Sequence, residues 1–116
     1  MSWTIEVPHN SLYCRVMNVD LQNLIEELDE AGYALGWDEE TGRIELDVDA
    51  REFIDCIGGT TIYDGEKKFF EAGIRGKVIF ADFDQGDEKD IWAYEFTDEG
   101  CNKFKGKIQL IPTGFI

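Results

Sequence analysis

Carboxylates apart, the side chains of this chain that could do chemistry are few and badly spaced for it. The one histidine, His9, follows Pro8 and is expected in a surface turn. A single histidine cannot build a His-based zinc site within one chain, and no two of Cys14, Cys56 and Cys101 form a C-x-x-C pair. The serines are Ser2 and Ser11. A Ser-His-Asp triad would need Ser11 and His9 almost adjacent, and no nucleophile elbow presents the hydroxyl. Cys14 and His9 could form a dyad on paper. Cys14 lies in an apolar run, however, and reads as a small buried residue. Gly58-Gly59 follows a predicted helix instead of opening one, so it is no phosphate loop. Gly65, Gly73 and Gly76 read as turn or bulge positions.

Carboxylates are abundant, with 25 Asp and Glu. Asp82, Asp84, Asp87, Glu88 and Asp90 resemble a calcium loop at first sight. Counting from Asp82 puts Gly86 fifth, Asp87 where the required glycine belongs, and Ala93 in place of the bidentate glutamate. The EF-hand register therefore fails, and only a looser Ca²⁺ or Mg²⁺ site at Asp82–Asp90 stays open. Asp47-x-Asp49 is weaker still, because Asp49 is expected to cap a helix. General acid–base chemistry needs only two acids in a pocket, and nothing in the sequence selects a pair. The expectation is a chain with no catalytic residue, resident metal or cofactor.

The acids are distributed unevenly. Residues 1–66 carry 16 acids against three basic residues, Arg15, Arg43 and Arg51. Residues 67–116 carry nine acids against eight bases, so nearly all of the net charge of −14 lies in the first part. A small domain needs a charge of only about 2–8 for solubility. The excess opposes folding by self-repulsion and attracts basic partners. Halophilic adaptation would spread acid over the whole surface, yet the second part contains seven lysines. Anionic lipid and nucleic acid would be repelled, so direct binding to either is not expected.

The elements that must position these charges follow from periodicity. One domain is expected for 116 residues. Trp3, Ile5 and Val7 alternate as a strand ended by Pro8, and Leu12–Met17 is a second candidate strand. Asp20 is placed as the cap of a helix with apolar positions Leu21, Leu24, Ile25, Leu28 and Ala31, stopped at Gly32. Tyr33, Leu35 and Trp37 alternate, as do Ile44, Leu46 and Val48, around the acidic loop Asp38-Glu39-Glu40-Thr41-Gly42, which predicts a hairpin. Asp49 and Glu52 begin a second short helix that buries Ala50, Phe53, Ile54 and Ile57. Beyond it the chain reads as β. A turn falls at Asp64-Gly65, a short strand at Lys67–Glu71, and stronger strands at Ile74–Phe83, Ile91–Phe96 and Phe104–Ile111. The predicted class is α+β, an antiparallel sheet of about six to eight strands with two short amphipathic helices packed on it.

The acids that this framework brings together are Glu26, Glu27, Asp29 and Glu30 on the first helix, and Asp38, Glu39, Glu40, Glu45 and Asp47 on the hairpin. Glu26 and Glu30 are a like-charge i,i+4 pair, and acids crowd the helix C-terminus, where the dipole disfavours them. Local rules broken without visible gain tend to mark function. The plain alternative is a solvated surface that serves solubility. The functional alternative is a partner-binding face that imitates a nucleic-acid backbone and occupies the groove of a basic nucleic-acid-handling protein. Nuclease-binding immunity proteins and phage-encoded anti-defence inhibitors share that physics, in charge alone. Affinity would need buried anchors, for which Trp37 and Tyr33 lie nearest, although core packing is their simpler role.

In the second part, Lys103, Lys105 and Lys107 share one face of the last strand, and a bulge at Gly106 would reconcile Phe104 with Ile108 and Leu110. The lysines read as edge protection, or as the basic half of a head-to-tail homo-oligomer. Trp92, Tyr94 and Phe96 line one face of a strand and Ile91 and Ala93 the other, as in a central strand covered on both sides or at a dimer interface. The odd, scattered cysteines, the absence of a signal-peptide pattern and of a long apolar run predict a cytoplasmic protein with free thiols. The functional expectation is a non-enzymatic inhibitor of immunity or anti-defence type. An assembly subunit and a carboxylate-based metal or small-ligand domain are its alternatives.

Overall fold

A computed structural model describes residues 5–82 and 88–109. The class is α+β, as expected, but the strands divide into two sheets and there are three helices. In chain order the elements are β1 (Ile5–Asn10), α1 (Val19–Glu30), β2 (Ala34–Trp37), β3 (Ile44–Asp47), α2 (Ala50–Ile57), α3 (Gly65–Glu71), β4 (Gly76–Asp82), β5 (Glu88–Thr97) and β6 (Gly100–Gln109). A four-stranded antiparallel sheet has the order β1-β4-β5-β6, and β2 and β3 form a separate hairpin.

Several boundaries differ from expectation for physical reasons. Pro8 does not end β1. The strand lies at the sheet edge, where a missing N–H costs little, and its register with β4 shifts between Glu6 and His9. Leu12–Met17 is not a strand. Within it only Tyr13 makes bridges, to Arg43 on one side and Arg75 on the other. Around Tyr13, the Ser11 and Tyr13 amides donate to the Lys77 and Arg75 carbonyls at 2.8 and 2.9 Å. On the other side the Cys14 amide donates to Gly42 O at 2.7 Å, and the Ile44 amide to Leu12 O at 2.9 Å. This short segment therefore stitches the hairpin to the main sheet.

The cap of α1 is Asn18, not Asp20. Its Oδ1 accepts from the Leu21 amide at 2.7 Å, while its Nδ2 donates to the Ala72 carbonyl at 2.9 Å beyond the end of α3. The periodic stripe behaves as read, with Leu21, Leu24 and Leu28 buried. Each such side chain contributes roughly 1.5–3 kcal/mol when removed from water. Asp49 caps α2 as expected, accepting from the Glu52 amide at 2.9 Å. Gly58 is the C-cap of α2.

The stretch predicted as a strand at Lys67–Glu71 is the helix α3. Tertiary contact decides this. Asp64 enters the left-handed region at φ 54°, and Gly65 then passes so close to α2 that a β-carbon there would lie 2.1 Å from Cys56 O. Only glycine permits that approach. The helix buries Phe69, which stacks on Phe96 of β5 at 6.1 Å between centroids. Phe53 of α2 meets Phe80 of β4 edge-on at 5.4 Å, and Phe80 meets Tyr94 at 6.3 Å. These contacts place α2 and α3 on the sheet face that carries Val78, Phe80, Tyr94 and Phe96, and the core lies between them. Paired register puts Ile79, Ala81, Ile91, Ala93 and Phe104 on the opposite face, outside the core cluster. β5 is a central strand with apolar residues on both faces, as read.

β6 begins at Gly100, earlier than expected, and pairs with β5 without interruption to Gln109. No bulge forms at Gly106, and Phe104 is 53% exposed. Phe83 and the tail from Leu110 lie outside the described residues, as do Asp84 and Asp87 of the suspected calcium loop.

Candidate acidic interface

α1 and the hairpin are neighbours in space. α1 packs on β2, and the Tyr33 amide donates to Leu28 O at 2.8 Å across the turn that joins them. Both elements bury their apolar side in one core, through Leu21, Leu24 and Leu28 on the helix and Leu35, Ile44 and Leu46 on the hairpin. Their polar sides are consequently left to solvent. Glu26, Asp29, Glu30, Asp38, Glu39, Glu40, Glu45 and Asp47 are all exposed. Ala34 and Gly36 are the exposed residues of β2 beside Glu45 and Asp47, so little side chain stands between those carboxylates and solvent.

Not all nine acids are alike. Glu27 is half-buried, and its two carboxylate oxygens accept from Lys68 Nζ at 2.6 and 2.8 Å. It ties α1 to α3. Glu45 pairs with Arg43 at 3.0 Å. Asp38 accepts from the Glu40 amide at 2.8 Å and the Thr41 amide at 3.3 Å. These backbone donors favour its charged form and hold its carboxyl below the usual range. It organises the hairpin loop as well as charging it. Among the described residues, no ion pair involves Glu26, Asp29, Glu30, Glu39, Glu40 or Asp47. The last turn of α1 contains no basic residue that would relieve the like-charge crowding.

A groove of about 510 Å³ runs beside the hairpin, lined by Gly36, Trp37, Asp38, Thr41, Arg43 and Glu45. Trp37 is partly buried against the core and its indole N–H donates to Cys14 O at 2.8 Å, which fixes the ring. One edge of a rigid aromatic ring thus borders the acidic groove. Tyr33 is partly buried and packs on the core. The sequence suggested both residues as anchors, and alternation with the buried Ile44 and Leu46 puts Arg43 on the exposed side of the hairpin with Glu45 and Asp47. Arg43 lines the groove beside Glu45, with which it is paired.

No protein-family model, curated protein or solved structure matches the chain.

The remaining chemical candidates separate in space. His9 lies in β1, not in a turn, and its Nε2 is hydrogen-bonded to Ser11 Oγ at 3.2 Å. Cys14 is buried, and its Sγ lies 3.3 Å from Val16 O and 3.5 Å from Ala72 O, which share its one S–H donor. Each member of the suspected dyad is engaged elsewhere. Cys14, Cys56 and Cys101 are free thiols. Burial pushes the Cys56 thiol up, and burial together with the nearby Glu66 carboxylate pushes Cys101 up to about 11. A thiol held protonated is a poor nucleophile. Among the described residues, no group of three His, Cys, Asp or Glu is arranged to hold a metal. No described helix is long and apolar enough to cross a membrane.

Proposed function

We propose that this chain is a non-enzymatic acidic binding protein, an inhibitor of immunity or anti-defence type, that blocks a basic nucleic-acid-handling protein. The supporting observation is the set of exposed carboxylates without ion-pair partners, among the described residues, on α1 and on the hairpin that packs beside it. Glu26, Asp29 and Glu30 stand on α1, and Glu39, Glu40 and Asp47 on the hairpin. Asp38 and Glu45 add charge that is already held in place by local bonds. Glu27 belongs to the nine acids expected at the interface, but its charge is largely answered by Lys68. Its role is to position α1.

A basic groove evolved for phosphates would meet a fixed array of negative charge. Association would be fast and salt-sensitive, because complementary fields steer encounter. Trp37, at the edge of the hairpin groove, is the aromatic nearest to serve as an anchor. Like charges on α1 weaken the free protein slightly and would be relieved on binding, which adds to the driving force.

The test is retention of a partner from source-cell, phage or host lysate at about 50 mM and about 500 mM salt, since screening shortens charge interactions over that range. A basic nucleic-acid enzyme held at low salt and released by Glu26→Lys with Glu30→Lys supports the reading. Retention unaffected by those changes refutes it. A second reading is an assembly subunit that self-associates through its β half. The observation favouring it is the apolar sheet face of Ile79, Ala81, Ile91, Ala93 and Phe104, outside the core cluster. It predicts a concentration-dependent oligomer unaffected by the same charge reversals.

A further inference from the structure

Among the described residues five large apolar side chains are exposed, and three of them lie within four positions: Val16 at 70%, Met17 at 38% and Val19 at 72%. Apolar residues scattered singly on a surface need no explanation, but a contiguous group does. Folding does not supply one. Met17 precedes the Asn18 cap, and its partner for a hydrophobic staple would be the fourth residue of α1, which is the exposed, polar Gln22. Val19 opens α1, where propensity and the helix dipole favour other residues. Nor is the segment loose. Asn18 caps α1 through Oδ1, and its Nδ2 donates to Val16 O at 3.3 Å and to Ala72 O at 2.9 Å. The three side chains are displayed on a fixed backbone.

This group lies where the two acidic elements meet. Val19, Asn23, Glu26 and Glu30 recur at i, i+4, i+7 and i+11, so Val19 heads the exposed stripe of α1 that carries both glutamates. On the hairpin side the Cys14 amide donates to Gly42 O at 2.7 Å, and a β-carbon on Gly42 would lie 3.8 Å from Arg15 Cα. The loop of Asp38, Glu39 and Glu40 thus abuts the residues just before Val16. Among the described residues, Glu26, Glu30, Glu39 and Glu40 have no ion pair, so their charge is not answered within the chain. Arg15 is the one base between positions 15 and 19, and it lines a hollow of about 330 Å³ with Arg75 and Asp98.

Those acids select the occupant. Two copies meeting at this patch would set the four glutamates against themselves, on a chain of net charge −14. Anionic lipid would be repelled. We propose that Val16, Met17 and Val19 are the apolar centre of the acidic interface, and that they receive a protein segment presenting a large aliphatic or aromatic side chain between lysines or arginines. Interfaces of this build bury an apolar core inside a polar rim. In this site, which rests on the reading of the acidic face as a binding surface, charge steers the partner in and the apolar contact holds it.

The probes are two synthetic peptides of about 14 residues, four helical turns, with the same lysines. One carries leucines at helical spacing, and the other has serine in place of each leucine. Affinity is read by fluorescence anisotropy. The leucine peptide should bind more tightly, and Val16→Ser combined with Val19→Ser should cost it roughly tenfold in affinity while leaving the serine peptide unchanged. Glu26→Lys with Glu30→Lys should weaken both peptides. Both valines are exposed, so an unchanged melting temperature reports an intact fold, and Val16→Ser alone, outside α1, repeats the test in the mildest form. Phe104→Ser, on the sheet face opposite the helices, should change neither affinity. No loss for the leucine peptide on changing the valines, an equal loss for both peptides, or an equal loss from Phe104→Ser overturns the proposal and leaves the acidic-face reading standing. Binding of both peptides unaffected by charge reversal removes that reading and the proposal together. A concentration-dependent dimer, or binding to phosphatidylcholine vesicles, that the valine changes abolish assigns the patch to a second copy or to lipid and also overturns it.

Discussion

Lys68 donates to both carboxylate oxygens of Glu27, at 2.6 and 2.8 Å, and so fastens α1 to α3 across 41 positions of sequence. Both side chains are about one-third exposed or more, so solvent screens the pair. Glu27→Gln should therefore destabilise the fold by at most about 1 kcal/mol. Glu26→Lys and Glu30→Lys should leave the melting temperature unchanged or raise it, because they remove a like-charge i,i+4 pair. Thermal unfolding of the three variants at low salt tests the contrast. A fall for Glu26→Lys equal to that for Glu27→Gln would show that the exposed acids carry structure as well as charge.

Asn18 has two tasks, capping α1 through Oδ1 and reaching Ala72 O through Nδ2. Asn18→Ala should cost about 1–2 kcal/mol, the upper part of the range for a lost cap, because a second bond goes with it. Asn18→Asp retains the capping acceptor but has no donor for Ala72 O, and should fall between the two. Asp20→Ala should change stability by only a few tenths of a kcal/mol, through the helix dipole. Urea denaturation midpoints rank these variants, and a larger loss at Asp20 than at Asn18 would contradict the capping geometry.

Cys101 links burial to pH. Its thiol lies near about 11, raised from the ordinary 9.0 by burial first and by the Glu66 carboxylate second, with Lys103 opposing. The folded state favours the neutral thiol, so this contribution to stability is complete below pH 9.0 and is lost as pH rises through about 11. Alkylation of Cys101, followed by mass spectrometry, should accelerate with a midpoint near that upper value. Glu66→Gln should move the midpoint down without restoring 9.0, because burial remains. A midpoint at the ordinary value in the unaltered protein would contradict the burial.

What the sequence disclosed depended on whether a local pattern or a distant contact determined the structure. The leucine stripe of α1 and the alternation at Leu35, Trp37, Ile44 and Leu46 repeat at the period of their own element, so both were legible. The acids on the opposite faces were legible for the same reason. α3 was not, because Lys67–Glu71 has no helical stripe and its start depends on Gly65 passing against the Cys56 carbonyl of α2. The cap at Asn18 is not legible locally, because Val19, the first helical residue, is apolar yet exposed, and because the second partner of Asn18, Ala72, lies 54 positions away. Glu27 shares the residue type and helix of its neighbours, and what distinguishes it is Lys68, 41 positions away.

The seam at Tyr13 has a mechanical consequence. With Arg75 bridged on one side and Arg43 on the other, and with the neighbouring amides bonded in both directions, the hairpin is coupled to the larger sheet by backbone hydrogen bonds, to which the side chains of Asn10 and Trp37 add bonds to Ile44 O and Cys14 O. It cannot swing as a loose arm without breaking several of those bonds together. Its carboxylates are then held as a template whose spacing is set before any encounter, and docking against it would freeze little additional motion. The seam thus lets a two-stranded ribbon, too small to be stable by itself, present charge with the stiffness of the whole domain.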